Sequence, residues 1–254
     1  MCFDHDSRPP IVPIAGRALD SQEVTLTAAD GNQLTAFEAR AAQPSGAAIV
    51  VLPDVRGLHT FYFELVLRFA ENGIDAVAID WFGRTAGLGR REDGFDYMPH
   101  VDATMWDGVS ADIAAGAAHA RTLRPDSPGS LFTVGFCFGG RMSFLSPTFG
   151  LGLAGAIGFY GPPAGPGRAG SPAPADVADY IESPILGLFG GADKGIPPAA
   201  VEAFDEALEQ AGVEHRLITY ANAPHSFFDR KAVEFVEESK QAWAEVLGFI
   251  RANT

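Results

Sequence analysis

The chain has 254 residues, 47% of them hydrophobic and 20% charged, enough apolar material for one large core or two small ones. No composition break suggests a second unit, so one α/β domain is expected over 1–254. An excess of 32 acidic over 18 basic residues gives a net charge of −14, which argues against nucleic acid or an anionic membrane surface as a partner.

In chain order, residues 1–20 read as a tail. Cys2 and His5, with their neighbouring aspartates, are metal-ligand types, but a terminal tail rarely preorganises ligands. No other histidines show the close pairing of a metal motif, so neither a metal nor a cofactor is expected. MCFDHDSRPP lacks the basic and apolar regions of a secretory leader, and no apolar run nears the roughly 18 residues of a membrane span. Cys2 and Cys137, the two cysteines, do not make a disulfide framework. A reducing cytoplasm is the expected location.

Glu23–Thr27 and Gln33–Glu38 alternate as strands around the hairpin chemistry of 29–32. Ala47–Leu52 is a continuous apolar run, the pattern of a strand covered on both faces. Leu65, Val66, Phe69 and Ala70 place a helix over 61–72, ended by Gly73. Asp75–Ile79 is the next strand. Residues 81–105 break into glycines, charges and aromatics and are expected as an excursion with short helical pieces. An alanine-rich helix follows over 106–123, then a strand at Leu131–Val134 and a helix from Gly139 to Leu145 that Pro147 interrupts. Strands at Ala154–Phe159, Pro184–Phe189 and Arg216–Tyr220 come next, with a loop excursion over 160–180. Val201, Phe204, Leu208 and Ala211 mark one further helix, and Val236, Trp243, Leu247 and Ile250 the last. Strands and helices thus alternate after an opening hairpin, which predicts a mostly parallel sheet with helices on both faces. Ligands of such sheets gather at the carboxyl ends of the strands. Gly150–Gly155 matches a dinucleotide fingerprint in letters only, because it precedes a strand instead of opening a helix.

Gly135-Phe136-Cys137-Phe138-Gly139 fits a sharp strand-to-helix turn. Such a turn strains its central residue and crowds it against the following helix, so small residues are needed two before and two after it. It presents Cys137 at a strand's carboxyl end and a helix N-terminus, where negative charge is favoured. After the strand at 184–189 comes GGADKGIP with Asp193, and after the strand at 216–220 comes ANAPHSFFD with His225. Nucleophile, acid and histidine follow one another in this order, on loops after successive later strands, in α/β-hydrolases. Cys137, Asp193 and His225 are the candidate catalytic residues.

The motifs PDVRGLH (53–59), GFCFGG (135–140), GGADKGIP (190–197) and APHSFFD (223–229) resemble those of the dienelactone hydrolase (carboxymethylenebutenolidase) family within the α/β-hydrolase fold. The resemblance spans about 23–250. It implies a nucleophilic Cys137, a base in His225 and an orienting acid in Asp193. It also implies an oxyanion hole made by the backbone N–H groups of Phe138 and Val55. The expected substrate is a small ester or lactone, cleaved through a thioester.

Two positions depart from the family pattern. Where the family has a glutamate that takes part in activating the thiol, this chain has Asp54, which either serves that role or caps the loop. Where well-studied members have an arginine that helps hold a substrate carboxylate, it has Asp229. Arg56, Arg84 and Arg141 are the candidate replacements, and Trp81, Phe82 and Tyr160 are candidate pocket walls; His59 is a lesser candidate for the cleft. A thiol redox sensor, with Cys2 as resolving thiol, and a non-catalytic binding module on the same fold are the alternatives. The sequence leaves oligomeric state open.

Overall fold

A computed structural model of the chain describes residues 7–127 and 129–254. Cys2 and His5 lie outside the described residues. Eight strands form one sheet in the order β1-β2-β4-β3-β5-β6-β7-β8. They are β1 (Ala18–Thr27), β2 (Gln33–Ala41), β3 (Ala47–Leu52), β4 (Ile74–Ile79), β5 (Ser130–Phe136), β6 (Gly155–Phe159), β7 (Ile185–Gly190) and β8 (His215–Tyr220). The hairpin β1-β2 is antiparallel and joins β4 antiparallel, while β4 through β8 run parallel. This is the α/β-hydrolase arrangement.

Alternation along the strands separates two apolar layers. Ile49, Val51, Ala76, Ala78, Phe132 and Val134 face one cluster, and Val50, Leu52, Val77, Ile79 and Leu131 the other. Helix α1 (Thr60–Glu71) covers the first with Phe61, Leu65, Val66 and Phe69. Its N-terminus is capped by His59, whose ring accepts a hydrogen bond from the Phe61 N–H, satisfying one of the first-turn donors. Among the helices of the excursion are α2 (Gly83–Ala86) and α3 (Met98–Asp102). Helix α4 (Trp106–Thr122) covers the second layer with Val109, Ile113, Ala117 and Ala120. Helix α5 (Phe138–Leu145) lies between the layers, sending Phe144 into one and Met142 and Leu145 into the other. Among the described residues, no helix is long and apolar enough to cross a membrane.

In α6 (Pro198–Gln210) Phe204 and Leu208 are buried and Val201 packs beside them, with Ala211 just past the helix end. Two expectations are corrected here. The tail is shorter than 1–20, because β1 starts at Ala18 and pairs with Ala41. Val236 stays exposed at the start of α7 (Val236–Ala252), whose Trp243, Leu247 and Ile250 pack against the first layer beside the buried Ala242 and Val246.

The strand order reverses between β3 and β5: the chain leaves β3 for β4 on one side and returns to β5 on the other. At such a switch point the loops beyond the two strands diverge and leave a crevice at their carboxyl ends. Leu52, the last residue of β3, is in register with Gly135. The turn after β3 therefore lies beside the turn that follows Phe136.

Candidate active site

Cys137 stands in that second turn with φ 56° and ψ −111°, a conformation that L-residues adopt only when surrounding structure imposes it. The imposing contacts are visible. Its N–H donates to the Phe159 carbonyl of β6 at 3.0 Å, and its own carbonyl accepts from the Arg141 N–H at 3.1 Å. A Cβ at Gly135 would lie 1.9 Å from the Gly139 carbonyl oxygen, and one at Gly139 would lie 2.1 Å from that of Leu52. Glycine at both positions is therefore a steric requirement of the corner. Cys137 is half-buried, with the first turn of α5 directly after it.

The turn after β3 is held from below. The Asp54 N–H donates to the Tyr62 hydroxyl of α1 at 2.8 Å. The Asp54 carboxylate accepts from the Arg56 N–H at 2.9 Å, and its carbonyl from the Gly57 N–H at 3.2 Å. Asp54 is fully buried. Val55 is the half-buried tip of this turn, and it packs in the same apolar layer as Phe138, the first residue of α5. Behind Phe138 lies Trp81, with ring centroids 5.3 Å apart and its indole N–H on the Pro53 carbonyl at 3.0 Å.

Asp193 and His225 meet across the ends of β7 and β8. His225 Nδ1 lies 2.6 Å from Asp193 Oδ2, while Asp193 Oδ1 accepts from the Gly195 N–H at 2.8 Å. Both carboxylate oxygens are thus engaged, which fixes the acid's orientation. The pairing leaves Nε2 as the imidazole's second nitrogen. Asp193 is buried, whereas the His225 side chain is 29% exposed, enough for a solvent-facing edge. The Tyr160 ring lies 4.9 Å from that of His225 and 6.3 Å from that of Phe136, so the histidine is one aromatic width from the strand that carries Cys137.

The remaining candidates separate. Arg56 follows Val55 and sets its guanidinium 5.8 Å from the Tyr97 ring centroid, along a cleft of about 230 Å³ also lined by His59, Phe63, Arg91 and Phe95. His59 is buried. Burial, and then the Arg56 charge, push its imidazole down to about 2, so it stays neutral at physiological pH. Arg84 is not available to a substrate: it binds the carboxylates of Asp30 and Asp112 and the Gly108 carbonyl, tying the hairpin turn to α4. Arg141 is also committed. It is 2% exposed and donates to the carbonyls of Pro162, Gly165 and Pro172 and to the Ser171 hydroxyl. Trp81, Phe82 and Tyr160 are all buried and stand behind other residues instead of forming an open wall.

Two contacts escaped sequence reasoning. One is Tyr62 under the Asp54 amide, for which α1's apolar stripe gives no signal. The other is a hydrogen bond from the Tyr160 hydroxyl to Asp229 Oδ2 at 2.8 Å; its only sequence signal is the acidic residue in HSFFD, where the family pattern has a base.

Known proteins resemble this chain over most of its length. Residues 34–254 match the model of the dienelactone hydrolase family. A protein of Escherichia coli (strain K12) named "Putative carboxymethylenebutenolidase" is 26% identical, over 96% of this chain and 93% of its own. The carboxymethylenebutenolidase of Rhodococcus opacus is 29% identical over 72% of this chain and 71% of its own. Among solved structures, the "Putative Dienelactone Hydrolase" of Klebsiella pneumoniae superimposes with a TM-score of 0.75 at 26% identity, covering 91% of this chain and 98% of that one.

Proposed function

Because the chain belongs to the dienelactone hydrolase family, and is thus a carboxylic ester hydrolase acting on a small molecule, we propose that it cleaves an ester or lactone with Cys137 as nucleophile. His225 is the base and Asp193 its orienting partner. His225 Nε2 takes the thiol proton as sulfur attacks the substrate carbonyl carbon. The carbonyl π electrons move to oxygen, which the N–H groups of Phe138 and Val55 stabilise. Collapse of this intermediate breaks the carbon–oxygen bond, and the imidazolium returns its proton to the leaving alkoxide. In a lactone, that alkoxide stays tethered to the acyl group. A water, deprotonated by the same imidazole, then attacks the thioester, releasing the carboxylic acid and the thiol.

The observation that carries this reading is the left-handed corner at Cys137 together with the 2.6 Å His225–Asp193 pair, both at the carboxyl ends of parallel strands. Burial of Asp54 beside the corner supports its part in activating the thiol. Arg56 is the remaining arginine placed to meet a substrate carboxylate. The test is titration with iodoacetamide while following hydrolysis of an activated ester or a dienelactone. Loss of turnover in step with alkylation of Cys137 is expected, and full turnover after complete alkylation refutes the reading. Cys137→Ser and His225→Ala should each lower kcat by about 10² or more without unfolding the chain.

A further inference from the structure

We propose that Tyr160 and Asp229 are positioning residues for His225: the buried Asp229 carboxyl anchors the Tyr160 hydroxyl, and the anchored ring fixes the plane of the imidazole. The proposal rests on His225 acting as the base.

Tyr160 is the first residue after β6. It is fully buried and held at φ 38°, a left-handed conformation that a bulky aromatic adopts only under constraint. Its N–H is tied to the Leu188 carbonyl of β7 at 2.8 Å, and its hydroxyl to Asp229. Between these two anchors, the ring packs on Phe136, Phe227 and the imidazole of His225. Asp193 holds one edge of the imidazole through Nδ1, a contact that does not by itself fix rotation about that bond. The Tyr160 ring blocks such a rotation from the side.

Asp229 reaches this position through a reversal of the chain just after His225. Ser226 takes φ 64°, and its carbonyl accepts the N–H groups of both Asp229 and Lys231. The carboxyl thereby returns beneath the histidine it follows. It is 4% exposed. The groups that act on it come from three sides: Asp54 from the turn after β3, Tyr160 from the end of β6, and His225 and the Arg230 N–H from its own loop. Burial, and next the Asp54 charge, raise its titration well above the usual carboxylate range, against the pull of the Arg230 and Tyr160 hydrogen bonds and the His225 charge. A carboxyl that titrates high suits the anchoring role, since it accepts the phenol's hydrogen bond while placing less negative charge beside Asp54. A strained tyrosine and a buried carboxyl both cost stability locally, and their common product is a fixed ring against the imidazole.

The test compares Tyr160→Phe, Asp229→Leu, Asp229→Asn and the Tyr160→Phe/Asp229→Leu pair with the wild type. The readouts are kcat and KM on an activated ester, the pH dependence of Cys137 alkylation, and the imidazole resonances of His225 by NMR. Tyr160→Phe and Asp229→Leu should each lower kcat by about tenfold to a hundredfold, the scale of a misplaced catalytic group, with little change in KM. The pair should be no worse than either single variant. Both should displace the alkylation pH profile and the His225 resonances, and Asp229→Asn, which keeps an oxygen for the phenol, should largely restore kcat.

Wild-type kcat, alkylation profile and His225 resonances in Tyr160→Phe would overturn the proposal, as would an Asp229→Asn variant as impaired as Asp229→Leu. Should Asp229→Leu fail to fold, Tyr160→Phe, which retains the ring, decides alone. Failure of the underlying reading shows differently, as wild-type turnover that survives alkylation of Cys137.

Discussion

Replacing Tyr62 by phenylalanine removes one oxygen atom and tests whether the turn after β3 is braced from beneath. Tyr62 and Asp54 are both fully buried, and the lost oxygen accepts the Asp54 N–H at 2.8 Å. The amide loses this acceptor, and a water in the vacated space would need two or more polar partners and a route through buried residues. An unsatisfied buried donor costs about 1–3 kcal/mol. At about 2–4 °C per kcal/mol for a chain of this length, Tm should fall by roughly 2–12 °C. The next amide in the chain is that of Val55, so the slackened turn also displaces the proposed oxyanion donor. Complete loss of such a donor costs about 10²–10³ in rate, and its displacement should cost about tenfold, in kcat and kcat/KM alike with KM nearly constant. Differential scanning fluorimetry and steady-state hydrolysis of an aryl ester measure both effects. A variant with wild-type Tm refutes the bracing argument, and a destabilised variant with wild-type kcat refutes its link to catalysis.

Gly135→Ala should prevent the corner from closing, since its Cβ would lie 1.9 Å from a backbone oxygen; overpacking of this severity costs about 3 kcal/mol or more, read as loss of soluble protein or a large drop in Tm. Arg141→Lys keeps the charge but has three donors in place of the guanidinium's five, so at least one of the acceptors at 162, 165, 171 and 172 is lost, at about 1.5–3 kcal/mol each. Limited proteolysis should then cut within 162–172 faster than in the wild type. Asp229→Asn should change the pH dependence of stability. Between its ordinary 3.8 and its raised native titration, Asp229 binds more protons folded than unfolded, so wild-type stability falls as pH rises through that range. The asparagine variant lacks this loss, and its stability relative to wild type should grow from about pH 4 upward and then level off. A difference in urea midpoints that stays constant with pH would contradict the raised titration.

The sequence carried the fold well wherever one physical signal dominated. Ala47–Leu52 is apolar without alternation because both faces are covered. Leu131–Val134 interrupts the same pattern only with Thr133, whose hydroxyl is satisfied by Ser143 and Ser146; both strands lie at the centre of the sheet. The corner at Cys137 was legible because its geometry excludes side chains at two fixed positions. Strand order was not: nothing local says that β2 pairs with β4, a contact made across intervening chain. The arginines were the weakest reading. Arg56, Arg84 and Arg141 look alike as letters, yet two of them are consumed by Asp30 and Asp112 in one case and by backbone carbonyls in the other. Partners of that kind come from loops whose course no periodicity encodes. Val236 was misassigned for a simpler reason: it lies at the first position of α7, where the helix has not yet reached the sheet.

The two halves of the site differ in how the sheet supports them. β5, which leads into the cysteine, has a hydrogen-bonded neighbour on each side, whereas β8, which leads to the histidine, pairs among the described residues with β7 alone and is only partly covered. Peeling of that edge is the cheaper opening; it carries imidazole away and leaves sulfur where it was. Gentle heating or low denaturant should therefore silence hydrolysis before the thiol corner is disturbed, with amide exchange in 215–220 rising in step.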